Sequence, residues 1–513
     1  MTVSIAPLTG ARAAVMAVGL SLVFLGTPVQ AVDTPPASDC VKIVADLEKY
    51  FHEIPTDFGS RAVADRLTAR TEEALQNTKT FLDNCEKLPE TTPTQTGVVL
   101  FVRAKALLLL SGVYRLQVYE QAKTDRAADI GYFVSRAMVA YQQQIHQLLR
   151  QARERLPAEH SFGVRALELL AFSLHQGRRD GKLGESMVVE AESVYHEFLD
   201  KHPNDKEVHR VIHGLSKLYL DLRQYQPGIV LLEKALKEQY ASASFPFMVD
   251  TLRKLYIGAG DLDGFQKTVE TGVFLFPLKS TNRKLAGNLK KAYERYMVYY
   301  GFWHAYGRMA KGDLEGAQTE FADHIKRLDA QASELQNKGE QLKPEFSIYR
   351  GRSATTLDFL NEVAEKPAPR ELDLLWTTDS QILLSDSLGT VTGILFRGVD
   401  DKRSKEFMTE LSLICEKEPD LQLAAVHFMR KQQNPELRTS QLRSELLELG
   451  YRGAAGFDPD AETQGIFRAY KVKVGSASFV VVDRDGNVRW FMEDPRPIDV
   501  GFAHSIMRRV GGN

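Results

Sequence analysis

The stretch Gly389–Leu411, GTVTGILFRGVDDKRSKEFMTEL, constrains the fold more than any other. A short apolar run, Val391 to Phe396, passes through the turn Arg397–Asp401 into a helix with one apolar face. A run that short, bounded by glycines, reads as a buried strand, and strand followed by helix is the plan of an α/β sheet. The alternation continues with a helix over Lys405–Lys417, a strand over Leu421–Phe428 and a helix over Ser440–Leu449. A turn at Gly456–Pro459, a helix over Glu462–Tyr470, a hairpin Ser478–Asp483/Asn487–Phe491 around Asp485-Gly486 and a helix over Val500–Val510 complete it. Lys366–Phe396 reads as an edge hairpin leading into the first central strand. Before the proline joint Glu365–Arg370 the apolar spacing is helical throughout, so the chain is expected to be multidomain.

With 513 residues the chain exceeds one ordinary domain and has room for a large core. Its 65 basic and 67 acidic residues nearly cancel, and no Lys/Arg run stands out. That balance argues against nucleic acid as a partner. The N-terminus departs from the average. Arg12 precedes the apolar run Ala13–Gly26, and Thr27-Pro28-Val29-Gln30-Ala31 places small residues at −3 and −1 before Val32. This pattern predicts a secretory signal peptide over residues 1–31, cleaved after Ala31. A retained anchor is the alternative, but about 14 apolar residues fall short of the roughly 20 that span a bilayer. No later stretch approaches a span. The expectation is an exported protein, periplasmic or secreted, with no membrane span in its mature chain.

Export makes disulfides possible, and the chain has three cysteines, Cys40, Cys85 and Cys415. Cys415 shares a helical face with Leu411 and Ile414 and reads as a buried small hydrophobe. Cys40 and Cys85 are the candidate disulfide. They open and close two expected helices, Cys40–Pro55 and Ser60–Cys85. If those helices are straight and antiparallel, the cysteines stand roughly 15 Å out of register. A bend would close that gap; otherwise both are free thiols.

Two further helices, Val98–Gln121 and Ala127–Leu156, complete an N-terminal helical region over 40–158. Across 159–364 the helices pair with recurring small and aromatic residues. Leu215, Ser216, Tyr219, Tyr225, Gly228, Leu232 and Ala235 are echoed by Leu252, Arg253, Tyr256, Gly260, Leu262, Phe265 and Val269, with Tyr256 standing 37 residues after Tyr219. Gly-Asp-Leu occurs at 260–262 and again at 312–314. A polar segment, Gln331–Leu342, closes the array and a helix over Ala354–Ala364 caps it. This spacing resembles the tetratricopeptide repeat. The resemblance implies an all-α solenoid of stacked helix pairs with a concave inner surface.

Two features of the helical body carry functional readings. His209 and His213 lie four residues apart, a spacing that can hold a metal, but no acidic or cysteine ligands accompany them. They are read as solvated or capping residues, and neither a metal nor another cofactor is expected. The aromatic run Tyr293, Tyr296, Tyr299, Tyr300, Phe302, Trp303 and Tyr306 fits packing between repeats. Its alternative is a peptide-binding surface centred on Tyr293, Tyr296, Tyr299 and Trp303.

Residues 365–513 resemble the redoxin, or envelope-thioredoxin, family. The matching pieces are Lys366-Pro367-Ala368-Pro369, Leu384-Ser385-Asp386 before Gly389, Phe457-Asp458-Pro459-Asp460, Ala469-Tyr470-Lys471-Val472 and Phe479 to Gly486. The resemblance implies a thioredoxin-like mixed sheet flanked by helices, and thiol–disulfide exchange as its chemistry. The positions matching the reactive pair are Asp401 and Ser404, and neither a carboxylate nor a hydroxyl exchanges with disulfides. Ala477 stands where the family places a cis-proline, Leu395 where many members carry a buried acid, and Thr409 where many carry a helix proline. What remains is a helix start, capped by Asp400 or Asp401. A ligand site at Asp401–Ser404 is the alternative to that cap. The sequence therefore predicts an exported, non-catalytic interaction protein with protein partners in the cell envelope. A thiol-disulfide oxidoreductase or peroxidase and a chaperone-like holdase are the competing readings.

Overall fold

The computed structural model describes residues 93, 94, 96–105, 107, 108, 130–179, 185–238, 244–280, 287–339, 342, 344–368, 374–378, 388–398, 401–428, 434–451, 453–458, 465–473 and 476–512. The expected signal peptide, the two helices from Cys40 to Cys85 and the candidate disulfide lie outside these residues. So do Leu384-Ser385-Asp386, Asp400, Pro459 and Asp460. The chain divides into two compact units, one ending at Val194 and the other running from Tyr195 to Asn513. Among the described residues no helix is long and apolar enough to cross a membrane.

In the first unit, helix α1 (Ile130–Arg155) packs on α2 (Ser161–Arg179). Phe162 stacks on Phe101 of a further helical stretch, ring centroids 5.1 Å apart. Arg150 donates through Nε and Nη2 to the two carboxylate oxygens of Glu190, near the start of α3 (Glu185–Lys201).

In the second unit the described residues form seven helices between the end of α3 and the first strand. They are α4 (Val208–Asp221), α5 (Tyr225–Glu238), α6 (Phe245–Ala259), α7 (Leu262–Ser280), α8 (Gly287–Ala310), α9 (Leu314–Asn337) and α10 (Pro344–Glu362). Each packs on the next, and α4 also meets α6, α6 meets α8 and α8 meets α10. Three of the turns share one backbone geometry, with a residue at positive φ just past the helix end: Arg223 (59°), Gly260 (72°) and Gly312 (83°). The next residue's N–H then reaches back to a carbonyl of the last helical turn: Gln224 to Tyr219, Asp261 to Tyr256 and Asp313 to Arg308. Asp261 and Asp313 each turn a carboxylate oxygen onto the N–H three residues ahead, Gly264 and Gly316, and so cap the following helix. The Gly-Asp-Leu signal is therefore a helix stop joined to a helix start. Arg223 shows the same turn built without glycine.

The segment Gln331–Leu342 is not all connector, because α9 continues through it to Asn337. The capping helix begins at Pro344, ten residues before its expected start. The polar surface of both segments hides their helical period.

Beyond Glu362 the described residues form one mixed six-stranded sheet in the order β1-β4-β3-β2-β5-β6. The strands are β1 (Leu375–Trp376), β2 (Val391–Arg397), β3 (Leu421–Phe428), β4 (Ala454–Asp458), β5 (Ser478–Val482) and β6 (Val488–Glu493). β2, β3 and β4 run parallel, and β1, β5 and β6 pair antiparallel. The helices are α11 (Lys402–Cys415), α12 (Pro435–Glu448), α13 (Ile466–Ala469) and α14 (Val500–Val510). β2 reads as a continuous apolar run because all seven of its residues are buried.

Four expectations need correction. Gly456 sits inside β4 rather than in a turn, since pairing with β3 overrides the weak strand propensity of Ala454-Ala455-Gly456. The helix expected from Ser440 starts at Pro435, where Asn434 accepts from Glu436 N and Leu437 N. The helix expected over Glu462–Tyr470 does not run through Gly465, which caps the short α13. The helix expected from Lys405 begins at Lys402, directly after its Asp401 cap.

The helical array and the sheet are fastened through α6 and α14. A Cβ placed on Gly501 would overlap the carbonyl oxygen of Gly258, and one on Gly260 would overlap that of Gly501. Gly501→Ala therefore sets a gain in helix propensity of about 1 kcal/mol against a backbone overlap that flexible side chains cannot relieve. Overpacking of this kind costs about 1–3 kcal/mol. The expected outcome is a net loss of stability in urea denaturation, and a variant as stable as the parent would refute the close approach.

Candidate functional site

Two places bring chemistry-bearing side chains together. The first is the C-terminal end of β2, where the sequence places its degenerate redox site. Asp401 caps α11, its carboxylate accepting from Arg403 N at 3.2 Å. Ser404 is 0% exposed, and its hydroxyl donates back to the Asp401 carbonyl at 3.2 Å. Both side chains are thus used by the helix start. Ala477 is buried and its carbonyl accepts from Asp494 N.

Sequence reasoning missed what surrounds this turn. Arg397, 0% exposed, ends β2 and donates through Nη2 to the Asp401 carbonyl at 3.3 Å. Its Nη1 stands 3.6 Å from Glu445 of α12, which also holds Lys405 of α11 at 3.0 Å. One carboxylate so ties the turn, the helix and α12 together. In the parallel register Arg397 lies beside His427, and His427 beside Phe457. Burial, with Arg397 and Lys405 nearby, pushes the His427 pKa far down and keeps the ring neutral. The only signal in the sequence is an arginine closing an apolar strand.

Among the described residues the one thiol is remote from this turn. Cys415 lies at the other end of α11, 8% exposed and unbridged. Burial, with Glu418 adding to it, pushes its thiol up to about 12. A thiol so high supplies almost no thiolate at neutral pH.

The second place is a cavity of about 480 Å³ between α6, α8, α10 and the segment from β6 to α14. The aromatic run of α8 divides around it. Tyr293, 1% exposed, and Tyr300 are buried against Phe276 of α7 and belong to the core. Tyr296, Tyr299 and Trp303 are half-buried and line the cavity. Three arginines lie against its rings: Arg253 at 4.4 Å from the Trp303 centroid, Arg295 at 5.6 Å from Tyr299 and Arg352 at 5.8 Å from Tyr349. The far wall comes from β6 and the turn after it, with Glu493, Asp494 and Asp499. No sequence signal joins segments so distant in the chain, so this wall is invisible without the fold.

Of the paired histidines, His213 is held by packing rather than solvated. His213 Nε2 meets Thr251 Oγ1 at 3.1 Å, its ring lies against Phe247, and burial pushes its pKa down to about 3.

No protein-family profile and no curated protein matches the chain. Several solved structures resemble it over a little more than a quarter of its length. A putative thiol:disulfide interchange protein DsbE from Chlorobium tepidum shares 21% identity, covering 29% of this chain and 99% of that one, with a TM-score of 0.24. A thiol-disulfide isomerase from Corynebacterium glutamicum shares 17%, covering 28% and 97%, with a TM-score of 0.25. A mutant of Xanthomonas campestris peroxiredoxin Q shares 12%, covering 29% and 97%, with a TM-score of 0.23.

Two outcomes are expected from the first place. Asp401→Ala removes the cap and lowers stability by about 1 kcal/mol in urea denaturation; an unchanged midpoint would show that the carboxylate does not hold the helix. Native protein treated with a thiol-specific chromophore at neutral pH leaves Cys415 unlabelled over a time in which unfolded protein reacts fully. Rapid native labelling would contradict its burial.

Proposed function

We propose that this chain is an exported, non-catalytic interaction protein, in which tetratricopeptide-like repeats over 159–364 carry a redox-inactive thioredoxin-like domain over 365–513. The observation that carries this reading is the fate of the exchange site. Exchange needs a thiolate at a helix N-terminus and a resolving thiol three residues on. Here those positions hold Asp401, engaged as a cap, and Ser404, buried and bonded to the backbone. The basic environment that lowers a thiol's pKa in such a site is present as Arg397 and Lys405, but Glu445 is paired with both.

The repeat reading is supported by the shared turn at Arg223, Gly260 and Gly312 and by helices that touch both their next and next-but-one neighbours. The thioredoxin-like reading is supported by the sheet order and by α11 starting directly off the end of the central strand β2. Large helical surfaces without a catalytic group fit recognition of protein partners in the cell envelope.

An insulin-reduction assay with dithiothreitol tests this, run on the parent and on Cys415→Ser. The expected rate equals the uncatalysed background for both. Turnover near that of an authentic thioredoxin would overturn the proposal in favour of the oxidoreductase reading.

A further inference from the structure

The cavity between α6, α8, α10 and β6–α14 is unevenly charged along its length. At the α6 end the Asp250 carboxylate faces two cations, Arg253 Nη2 at 2.9 Å and Lys254 Nζ at 2.6 Å, which leaves one positive charge in excess. At the β6 end three carboxylates, Glu493, Asp494 and Asp499, face two cations, Arg352 and Arg496, which leaves one negative charge in excess. The pairing there is loose. Arg352 stands 3.8 Å from Glu493 and 3.6 Å from Asp494, beyond hydrogen-bond reach, and Arg496 meets Asp494 at 3.2 Å. Arg295, between the ends, is neutralised by Glu345 at 2.9 Å.

The hydrogen-bonding capacity left open matches this polarity. Tyr306, 4% exposed, lines the cavity with a hydroxyl that has no partner among the described residues. Glu493 Oε2 is buried and accepts no hydrogen bond there either. Asp499 accepts the Arg496 N–H at 2.9 Å, and burial holds its carboxyl up at about 6. Arg496 and Arg253 both act on the Asp499 charge, but neither forms a salt bridge with it among the described residues, and a buried hydroxyl left unpaired is unfavourable. Between the charged ends the walls are aromatic: Tyr296, Tyr299, Phe302, Trp303 and Tyr349. A volume of about 480 Å³ falls within the range of small-ligand sites.

We infer that this cavity binds a zwitterionic ligand with an apolar side chain, a free amino acid or a short peptide with both termini free. Its carboxylate sits at the Arg253/Lys254 end, its ammonium among Glu493, Asp494 and Asp499, and its side chain against the rings of α8. An anion alone meets three carboxylates, and a cation alone meets the excess of Arg253 and Lys254. Only a ligand carrying both charges complements both ends. This site is separate from the exchange site and does not depend on the redox inactivity of the chain.

Calorimetric titration of the full chain with leucyl-phenylalanine, its N-acetyl form, its C-terminal amide and free phenylalanine tests the inference. The uncapped dipeptide or the free amino acid binds, and each cap weakens binding by about 30-fold or more, as loss of a partner for a buried charge does. Dipeptide binding tighter than phenylalanine identifies a peptide ligand, and the reverse order a free amino acid. Asp499→Asn and Lys254→Gln each weaken the uncapped ligand. The first leaves affinity for the N-acetyl form unchanged and the second that for the amide, because the missing ligand charge already removed the contact. Tyr306→Phe keeps the fold, shown by an unchanged melting temperature, and weakens binding several-fold. No heat with any probe, or capped and uncapped ligands binding alike, overturns the inference.

Discussion

The contact on which this architecture rests is the approach of α6 to α14 at Gly258, Gly260 and Gly501. α14 already buries Phe502, Ala503, Ile506 and Met507. Through the absent side chains at Gly260 and Gly501 it also meets the end of α6 backbone to backbone, with Gly501 against the Gly258 carbonyl. Around this point Phe502 lies 5.0 Å from Phe265 and 6.1 Å from Trp490, which joins the rings of the helical array to those of the sheet. Arg223, held at positive φ in the first shared turn, reaches Glu410 of α11 at 2.6 Å. A turn of the helical array and a sheet helix are thereby tied at a second point. The array and the sheet form one body, so the cavity is walled by both.

Much of the C-terminal sheet is legible in the sequence because its strands are short and buried on both faces, a signal that needs no knowledge of neighbours. β3 and α14 fall where the sequence places them, and β2 gains only Arg397. β4 is not legible: Ala454, Ala455 and Gly456 have little strand preference, and only the parallel register with Ala424–Val426 makes them a strand. The start of α12 is obscured because Asn434-Pro435 looks like a break, although an asparagine cap before a proline at the first helical position is a helix start. The Gly-Asp-Leu turns are legible for the opposite reason, since they satisfy themselves locally, with a left-handed glycine and an aspartate cap in adjacent residues.

The two candidate sites differ in the same way. Asp401 and Ser404 can be judged from sequence, because capping acts within three residues. Their support cannot, since Arg397 and Lys405 are held by Glu445, far along the chain in a helix whose start the sequence misplaces. A buried arginine left without an acceptor is costly. Arg397 donates to the Asp401 carbonyl and forms an ion pair, longer than a hydrogen bond, with the Glu445 carboxylate. These contacts give the turn a structural reason to hold its shape.

The aromatic helix α8 carries the last step. Its run of rings is ambiguous in sequence between packing and recognition, and the structure divides it by face. Tyr293 and Tyr300 turn into the array and carry the packing, while Tyr296, Tyr299 and Trp303 turn toward the cavity. A helix bordered on both sides by apolar surface would bury every ring. Tyr296, Tyr299 and Trp303 stay half-open toward a far wall that sets Glu493, Asp494 and Asp499 among Met492, Ile498 and Phe502. Arg352 bridges the two walls, lying over Tyr349 and against Glu493 and Asp494, but the Tyr306 hydroxyl and Glu493 Oε2 are left without hydrogen-bond partners among the described residues. Such an arrangement is best explained by a third party that satisfies both.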